Sequence, residues 1–278
     1  MDDELLRKVQ LCMLDILKEF KRVCDILELD YHLDSGTLLG AVRHKGFIPW
    51  DDDADVGMLR ENYEIFISKA PALLDKRFFL QTRESDINYA QSYAKLRMRD
   101  TVYVEEITKD SECENGFFID IFPYDIFPSK AYQRILQSVP YELSKKMMLM
   151  KCGYKQWMRH TGPVRYIKHA LFIPIEIMAM FYSRDSLIRL YDRVAQRYNG
   201  SSSQDRLAFT DSAYGSWILH YDDIRETTEL EFEGELFKCP KGYVRYLTDA
   251  YGDYMQLPPL EDRVNRHGIV ECKFPGED

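Results

Sequence analysis

Asp51, Asp52, Asp53 and Asp55 lie within five residues of one another, inside the stretch DSGTLLGAVRHKGFIPWDDDADVGM at 34–58. Carboxylates held that close repel unless solvent or a cation intervenes. The residues behind them, Phe47, Ile48, Pro49 and Trp50, are apolar, not the Ser/Gly/Lys mixture of a solvated acidic loop. Any fold of this chain must therefore carry concentrated negative charge at the edge of an apolar body. Just upstream, Ser35-Gly36-Thr37 opens a predicted helix, and helix starts offer N–H groups and a positive dipole end to phosphate. Together they predict a divalent-metal site facing a phosphate-binding turn. The plainer alternative is a set of loop-capping aspartates beside an ordinary N-cap turn.

The rest of the chain must supply a core for such a site. It has 278 residues, enough for one large domain or two small ones, and 45% hydrophobic content, which argues against disorder. The net charge of −9 argues against a nucleic-acid polymer as partner, because phosphate contacts need clustered Lys and Arg. The opening Met1-Asp2-Asp3-Glu4 has neither a basic nor an apolar leader segment, so no secretion signal is expected. No run approaches the roughly 18 apolar residues of a membrane span. Cys12, Cys24, Cys113, Cys152, Cys239 and Cys272 form no C-x-x-C pair, which argues for reduced thiols and a cytoplasmic setting.

Apolar residues from Leu5 through Val9, Met13, Ile16, Phe20 and Val23 to Leu27 predict an amphipathic helix over about 3–29. Strands are expected at 31–34, 53–58, 78–82, 93–97, 101–105 and 117–122, and helices at 37–43 and 62–69. From 131 to 199 the pattern is helical, broken near Gly162-Pro163 and Ser183, with a loop at Gly200-Ser201-Ser202-Ser203. A hairpin at 230–239 and a helix at 243–251 capped by Gly252 follow, and then an extended tail at Pro258-Pro259. The fold class is α+β, a mixed sheet flanked by helices with an added helical block in the second half. One domain is expected over 1–278, made of a core at 1–130, the helical block at 131–204 and a C-terminal segment at 205–278.

Asp53 and Asp55, two apart on a predicted strand, share a face and suit a hard cation such as Mg²⁺. Asp120 is the expected third ligand, because it interrupts the apolar run Phe117-Phe118-Ile119-Asp120-Ile121-Phe122, and an unpaired buried Asp is costly. Gly36 and Thr37, with Arg43, Lys95 and Arg97, are the expected contacts for a diphosphate; a solvated strand face is the alternative for the last two. Trp50 and Tyr124 flank the acids and suit a quaternary ammonium, though core packing explains either one. Arg266 and His267 form a basic cluster that is surface or substrate contact. The stretch 170–182 reads as a buried helix, with a membrane-interface helix as the other reading.

The blocks Gly36-Thr37-Leu38-Leu39-Gly40-Ala41-Val42-Arg43, Ile48 through Asp55, Phe118 through Pro123, and Tyr251-Gly252-Asp253-Tyr254 with Leu257-Pro258-Pro259 resemble, in order, the LicD family. That family includes bacterial phosphocholine transferases and is related to fukutin and fukutin-related protein. The resemblance implies a nucleotidyltransferase-like fold with Asp53, Asp55 and Asp120 in the catalytic and metal-binding places, and Mg²⁺ or Mn²⁺ as cofactor. It implies transfer of a phosphoryl-alcohol, phosphocholine first, from a CDP-alcohol donor to a sugar hydroxyl of a cell-surface glycan or its lipid-linked precursor, with release of CMP. The zinc-binding cysteine cluster of fukutin-related protein has no counterpart here. Ribitol- or glycerol-phosphate transfer is an alternative within the fold. A nucleotidyltransferase releasing pyrophosphate, a metal-dependent glycosyltransferase, and a binding protein that keeps the pocket without turnover are alternatives outside it. The expected location is the cytoplasm, with peripheral contact at the inner face of the membrane as a further possibility; no pattern speaks to oligomeric state.

Overall fold

The computed structural model describes residues 2–106, 109, 112–154, 157, 162–200, 207–209, 218–265 and 268–277. The elements are α1 (Asp3–Leu27), β1 (His32–Leu33), α2 (Ser35–His44), β2 (Asp55–Leu59), α3 (Arg60–Lys69), β3 (Phe78–Gln81), β4 (Ala94–Met98), β5 (Val102–Glu105) and β6 (Phe118–Ile126). Then come α4 (Ala131–Lys151), α5 (Gly162–Met180), α6 (Arg184–Ala195), β7 (Leu207–Phe209), β8 (Ile218–Leu219), α7 (Tyr221–Ile224), β9 (Thr227–Phe232), β10 (Glu235–Pro240), α8 (Tyr243–Tyr251) and β11 (Ile269–Lys273).

The main sheet is mixed. Its order is β1-β2-β6-β4-β3, with β2 parallel to β6 and the other neighbours antiparallel, and β7 with β8 extends it beside the far half of β6. Strand alternation sorts the chemistry between its faces. Val56, Met58, Leu96, Ile119 and Ile121 turn one way and are buried. α1 packs on β4 and β6, burying Val9, Met13, Ile16, Leu17, Phe20 and Val23. Each such side chain contributes about 1.5–3 kcal/mol on leaving water. Asp55, Asp120 and Lys95 occupy the alternate positions and turn the other way.

Most expected elements are present, with informative differences at their ends. α2 starts at Ser35 instead of Thr37, because Asp34 caps it and accepts the Ser35 N–H at 2.8 Å. β2 starts at Asp55, so Asp53 lies in the lead-in and not on the strand. β6 runs on to Ile126 because its second half gains β7 as a partner. The breaks in the helical block fall as expected, Pro163 sitting in the first turn of α5 and the Ser183 hydroxyl accepting the Ser186 N–H of α6. The expected loop at 200–203 lies outside the described residues beyond Gly200. β11, which pairs with β5, was not expected, because Ile269–Lys273 carries no clean alternation. α5 is not the buried helix expected of 170–182; most of its apolar side chains face solvent.

The close fit under β2 is set by Gly57. A Cβ there would lie 2.5 Å from the His32 ring and 2.6 Å from the Tyr124 ring, both buried. Gly57→Ala is therefore expected to destabilise the protein by about 1–3 kcal/mol through overpacking. Thermal unfolding checks this, and an unchanged Tm would reject the tight contact.

Candidate active site

The register of three strands builds one row of chemistry. Asp55 on β2 lies directly opposite Asp120 on β6, and Asp120 lies opposite Lys95 on β4. Neighbours in register project to the same side, so two carboxylates and one ammonium meet on the face away from α1. Lys95 Nζ donates to Asp120 Oδ1 at 2.6 Å, with both side chains largely buried. The same ammonium sits 3.3 Å from the centroid of the Phe118 ring, a cation–π contact that fixes it further.

The helix start beside this row is held by a buried carboxylate. Asp34, with no exposed surface, accepts a hydrogen bond from the Tyr124 hydroxyl at 2.7 Å on one oxygen and a short one from the Tyr246 hydroxyl on the other. The Ser35 N–H donates to Asp34 and to the Tyr246 oxygen at 3.0 Å. These contacts hold Ser35 at φ 47°, a left-handed conformation costly for a residue with a side chain. The Asp55 N–H donates to the Thr37 hydroxyl at 2.8 Å, tying α2 to the first residue of β2. A Cβ on Gly36 would meet Asp51 Oδ2 at 2.8 Å, so glycine lets this carboxylate approach the helix start.

A cavity of about 810 Å³ opens here, within the range of small-molecule sites. Ser35, Gly36, Asp51, Asp53 and Asp55 form one wall. Phe122, Trp50, Tyr251 and Tyr254 supply aromatic surface, Arg43 a cation, and Asp253 and Asp262 further carboxylates. The segment Leu257-Pro258-Pro259 also lines the cavity.

The structure treats the expected site residues differently. It gathers Gly36, Arg43, Trp50, Asp53 and Asp55 in the cavity wall. Arg43 also donates from Nη1 to the Tyr254 carbonyl at 3.0 Å, joining α2 to the segment after α8. Thr37 and Tyr124 lie just beneath the wall and shape it through Asp55 and Asp34. Asp120 and Lys95 are paired beside Asp55, outside the wall. Arg97 is set deeper. It donates to Gln81 Oε1 at 2.5 Å and to the Gly116 carbonyl at 2.6 Å, so its donors serve the turn before β6. The Trp50 ring already carries the Arg263 guanidinium 5.5 Å from its centroid. Arg266 and His267 lie outside the described residues. Asp34, Tyr246, Tyr251 and Tyr254 were not among the expected site residues. The Tyr251–Tyr254 block was visible as a matching segment, but nothing local tied it to the acids.

The electrostatics show how closely negative charge is concentrated here. Burial first, then Asp53, Asp120, Asp34 and Asp51, push the Asp55 carboxyl well above the usual carboxylate range. Burial pushes Asp120 up to about 6 even though Lys95 pulls it down. Burial, then Asp55, Asp34, Asp51 and Asp53, raise the Tyr251 phenol. Among the described residues, no group of three or more His, Cys, Asp or Glu side chains could hold a metal ion, so the expected trio Asp53, Asp55 and Asp120 is not gathered as a three-ligand set. Mg²⁺ does not ask for such a cage, since it commonly binds one or two carboxylates plus water and substrate phosphates. All-oxygen donors that repel one another fit that pattern.

A raised carboxyl binds its proton more tightly folded than unfolded, where Asp titrates near 3.9. Stability therefore falls as pH rises through the interval between the two values. Asp55→Asn is expected to raise Tm without added metal, with little gain near the unfolded Asp value of about 3.9 and a growing gain as pH rises above it. Melting curves of both proteins across pH check this; a Tm loss at pH 7.5 would contradict the mutual repulsion. Lys95→Met leaves Asp120 buried without its partner and is expected to cost about 3–5 kcal/mol, more than the double variant Lys95→Met/Asp120→Asn, as denaturant titration would measure.

Sequence comparison identifies the family. Residues 28–180 match the family described as LicD/FKTN/FKRP, nucleotidyltransferase domain. The lipopolysaccharide cholinephosphotransferase LicD of Haemophilus influenzae is 31% identical over 277 residues, covering 94% of this chain and 96% of that protein. The human ribitol 5-phosphate transferase FKRP is 38% identical over 77 residues, 25% of this chain and 16% of that one. An uncharacterised protein of Rickettsia prowazekii is 26% identical over 173 residues, 60% of this chain and 62% of that one. The chain therefore belongs to the LicD/FKTN/FKRP nucleotidyltransferase-domain family.

Proposed function

We propose that this protein transfers phosphocholine from CDP-choline to a sugar hydroxyl of a cell-surface glycan or its lipid-linked precursor, releasing CMP. One observation carries the reading: a single cavity sets Asp53, Asp55 and the start of α2 beside an aromatic surface that also bears carboxylates. The first half suits a diphosphate and the second a quaternary ammonium. The near full-length similarity to a cholinephosphotransferase supports choline over ribitol or glycerol.

Asp53 and Asp55 would hold Mg²⁺ or Mn²⁺, with Asp120 behind them. Bound there, the ion supplies charge neutralisation at the donor diphosphate. The protein does the rest. Gly36 and Thr37 turn their N–H groups, which meet no acceptor among the described residues, toward the phosphates. Arg43 offers the cation in the cavity wall. The faces of Tyr251, Tyr254 and Phe122 take the trimethylammonium group, and Asp253 and Asp262 balance its charge. The proton of the attacking sugar hydroxyl passes to a carboxylate of the cavity wall, and Asp120, outside that wall, backs the pair that would hold the ion. Lys95 keeps the Asp120 carboxylate oriented.

The test is turnover of CDP-choline, CDP-ribitol and CDP-glycerol with Mg²⁺ and a glycan acceptor, followed by CMP release. CDP-choline is expected to be used best, and excess EDTA to abolish the reaction. Asp53→Asn is expected to lower kcat by about 100-fold or more, in line with losing one preorganised charge-stabilising element. Pyrophosphate release from CTP and phosphocholine, in place of CMP release, would overturn the reading. Tyr251→Leu is expected to raise KM for CDP-choline about 5-fold or more, as one cation–π contact is worth about 1 kcal/mol. An unchanged KM would remove Tyr251 from the choline contact.

A further inference from the structure

α5 is a helix whose exposed side should not be facing water. It spans 19 residues, about 28 Å at the usual helical rise. Its inward positions, Phe172, Ile175 and Ala179, pack toward α4, Trp157 and the small core formed by Met147 and Met148. On the opposite arc Tyr166, Ile167, Ile173, Ile177 and Phe181 fall at helical spacing, and every one is exposed, as is Leu171 at the edge of the inward stripe. Tyr166 is 75% exposed and Phe181, just past the helix, 83%. No charged residue interrupts that arc. Contiguous apolar surface of this extent marks an interaction site.

The charge around it is equally unusual. From Lys130 to Tyr182 there are nine Lys and Arg against two acids, Glu142 and Glu176, a net of +7 in a chain whose total is −9. Lys130, Lys151, Arg165 and Lys168 are exposed. A basic block with an apolar helical arc and tyrosines at its ends has the chemistry of an interfacial helix. No helix among the described residues is long and apolar enough to cross a membrane. A second copy is a poor occupant, because pairing across this helix would bring the exposed Lys130, Lys151, Arg165 and Lys168 of each copy toward those of the other.

We propose that α5 lies in the surface of an anionic bilayer, its outward arc among the acyl chains near the headgroups and the surrounding cations against the lipid phosphates. This surface is separate from the cavity, and the proposal does not depend on which alcohol or acceptor the cavity takes.

The test uses the full-length protein with vesicles of phosphatidylcholine alone and of phosphatidylcholine with phosphatidylglycerol in equal parts, read by flotation. Binding is expected on the anionic vesicles, at least 10-fold tighter than on the neutral ones. The triple variant Ile167→Glu/Ile173→Glu/Phe181→Glu is expected to lose at least 10-fold in partitioning. Its circular dichroism and CMP release with a water-soluble acceptor should be unchanged, because these side chains face outward. Arg165→Gln/Lys168→Gln is expected to weaken anionic binding about 5-fold for each cation removed. Absence of binding, equal binding to both vesicle types, or undiminished binding by the triple variant would overturn the proposal. So would light scattering showing a dimer that the triple variant dissociates, since the arc would then be covered by a second copy.

Discussion

A parallel pair of strands places two acids side by side, and much else in this protein answers that placement. Asp55 and Asp120 are register partners on β2 and β6, so neither can move away without breaking the centre of the sheet. Two buried carboxylates in that relation are unstable unless something positive stands nearby. Lys95 answers one side and is itself wedged on Phe118. On the other side lie a helix start and the cavity. The destabilisation is local and is carried by the large core between the sheet and α1, an arrangement in which stability is given up at a site and recovered elsewhere.

The helix start is the second half of the same arrangement. Asp34 is buried with three hydrogen-bond donors converging on it, two tyrosine hydroxyls and one N–H. A carboxylate satisfied in this way is a rigid anchor. It aims α2 so that Gly36 meets Asp51 and Thr37 meets the first N–H of β2. Ser35 takes the left-handed turn that this geometry demands. Helix and acids are thus positioned by separate strands but tuned to each other by Thr37.

Much of this was legible in the residue pattern. The apolar spacing of α1, the alternation on β4 and the lone acid in β6 each report a local period, and local periods survive into the fold. The pairing partners did not show locally. Whether Lys95 and Arg97 would face a ligand or one another's neighbours depended on Asp120 and Gln81, which come from other strands. Asp53 read as part of a strand because its alternation with Asp55 is real, yet the ladder begins only at Asp55. The exposure of α5 was hidden for a different reason. An apolar helix reads the same whether protein or something else covers it.

The hydroxyl of Tyr246 reaches Asp34 across 212 positions of chain, and Tyr254 takes part in the same enclosure through Arg43. A nascent polypeptide that has made only its acidic half thus has the charges without the chamber. The lining of the pocket is complete only when residues from both ends of the chain are in place, with α8 docked against the acidic segment.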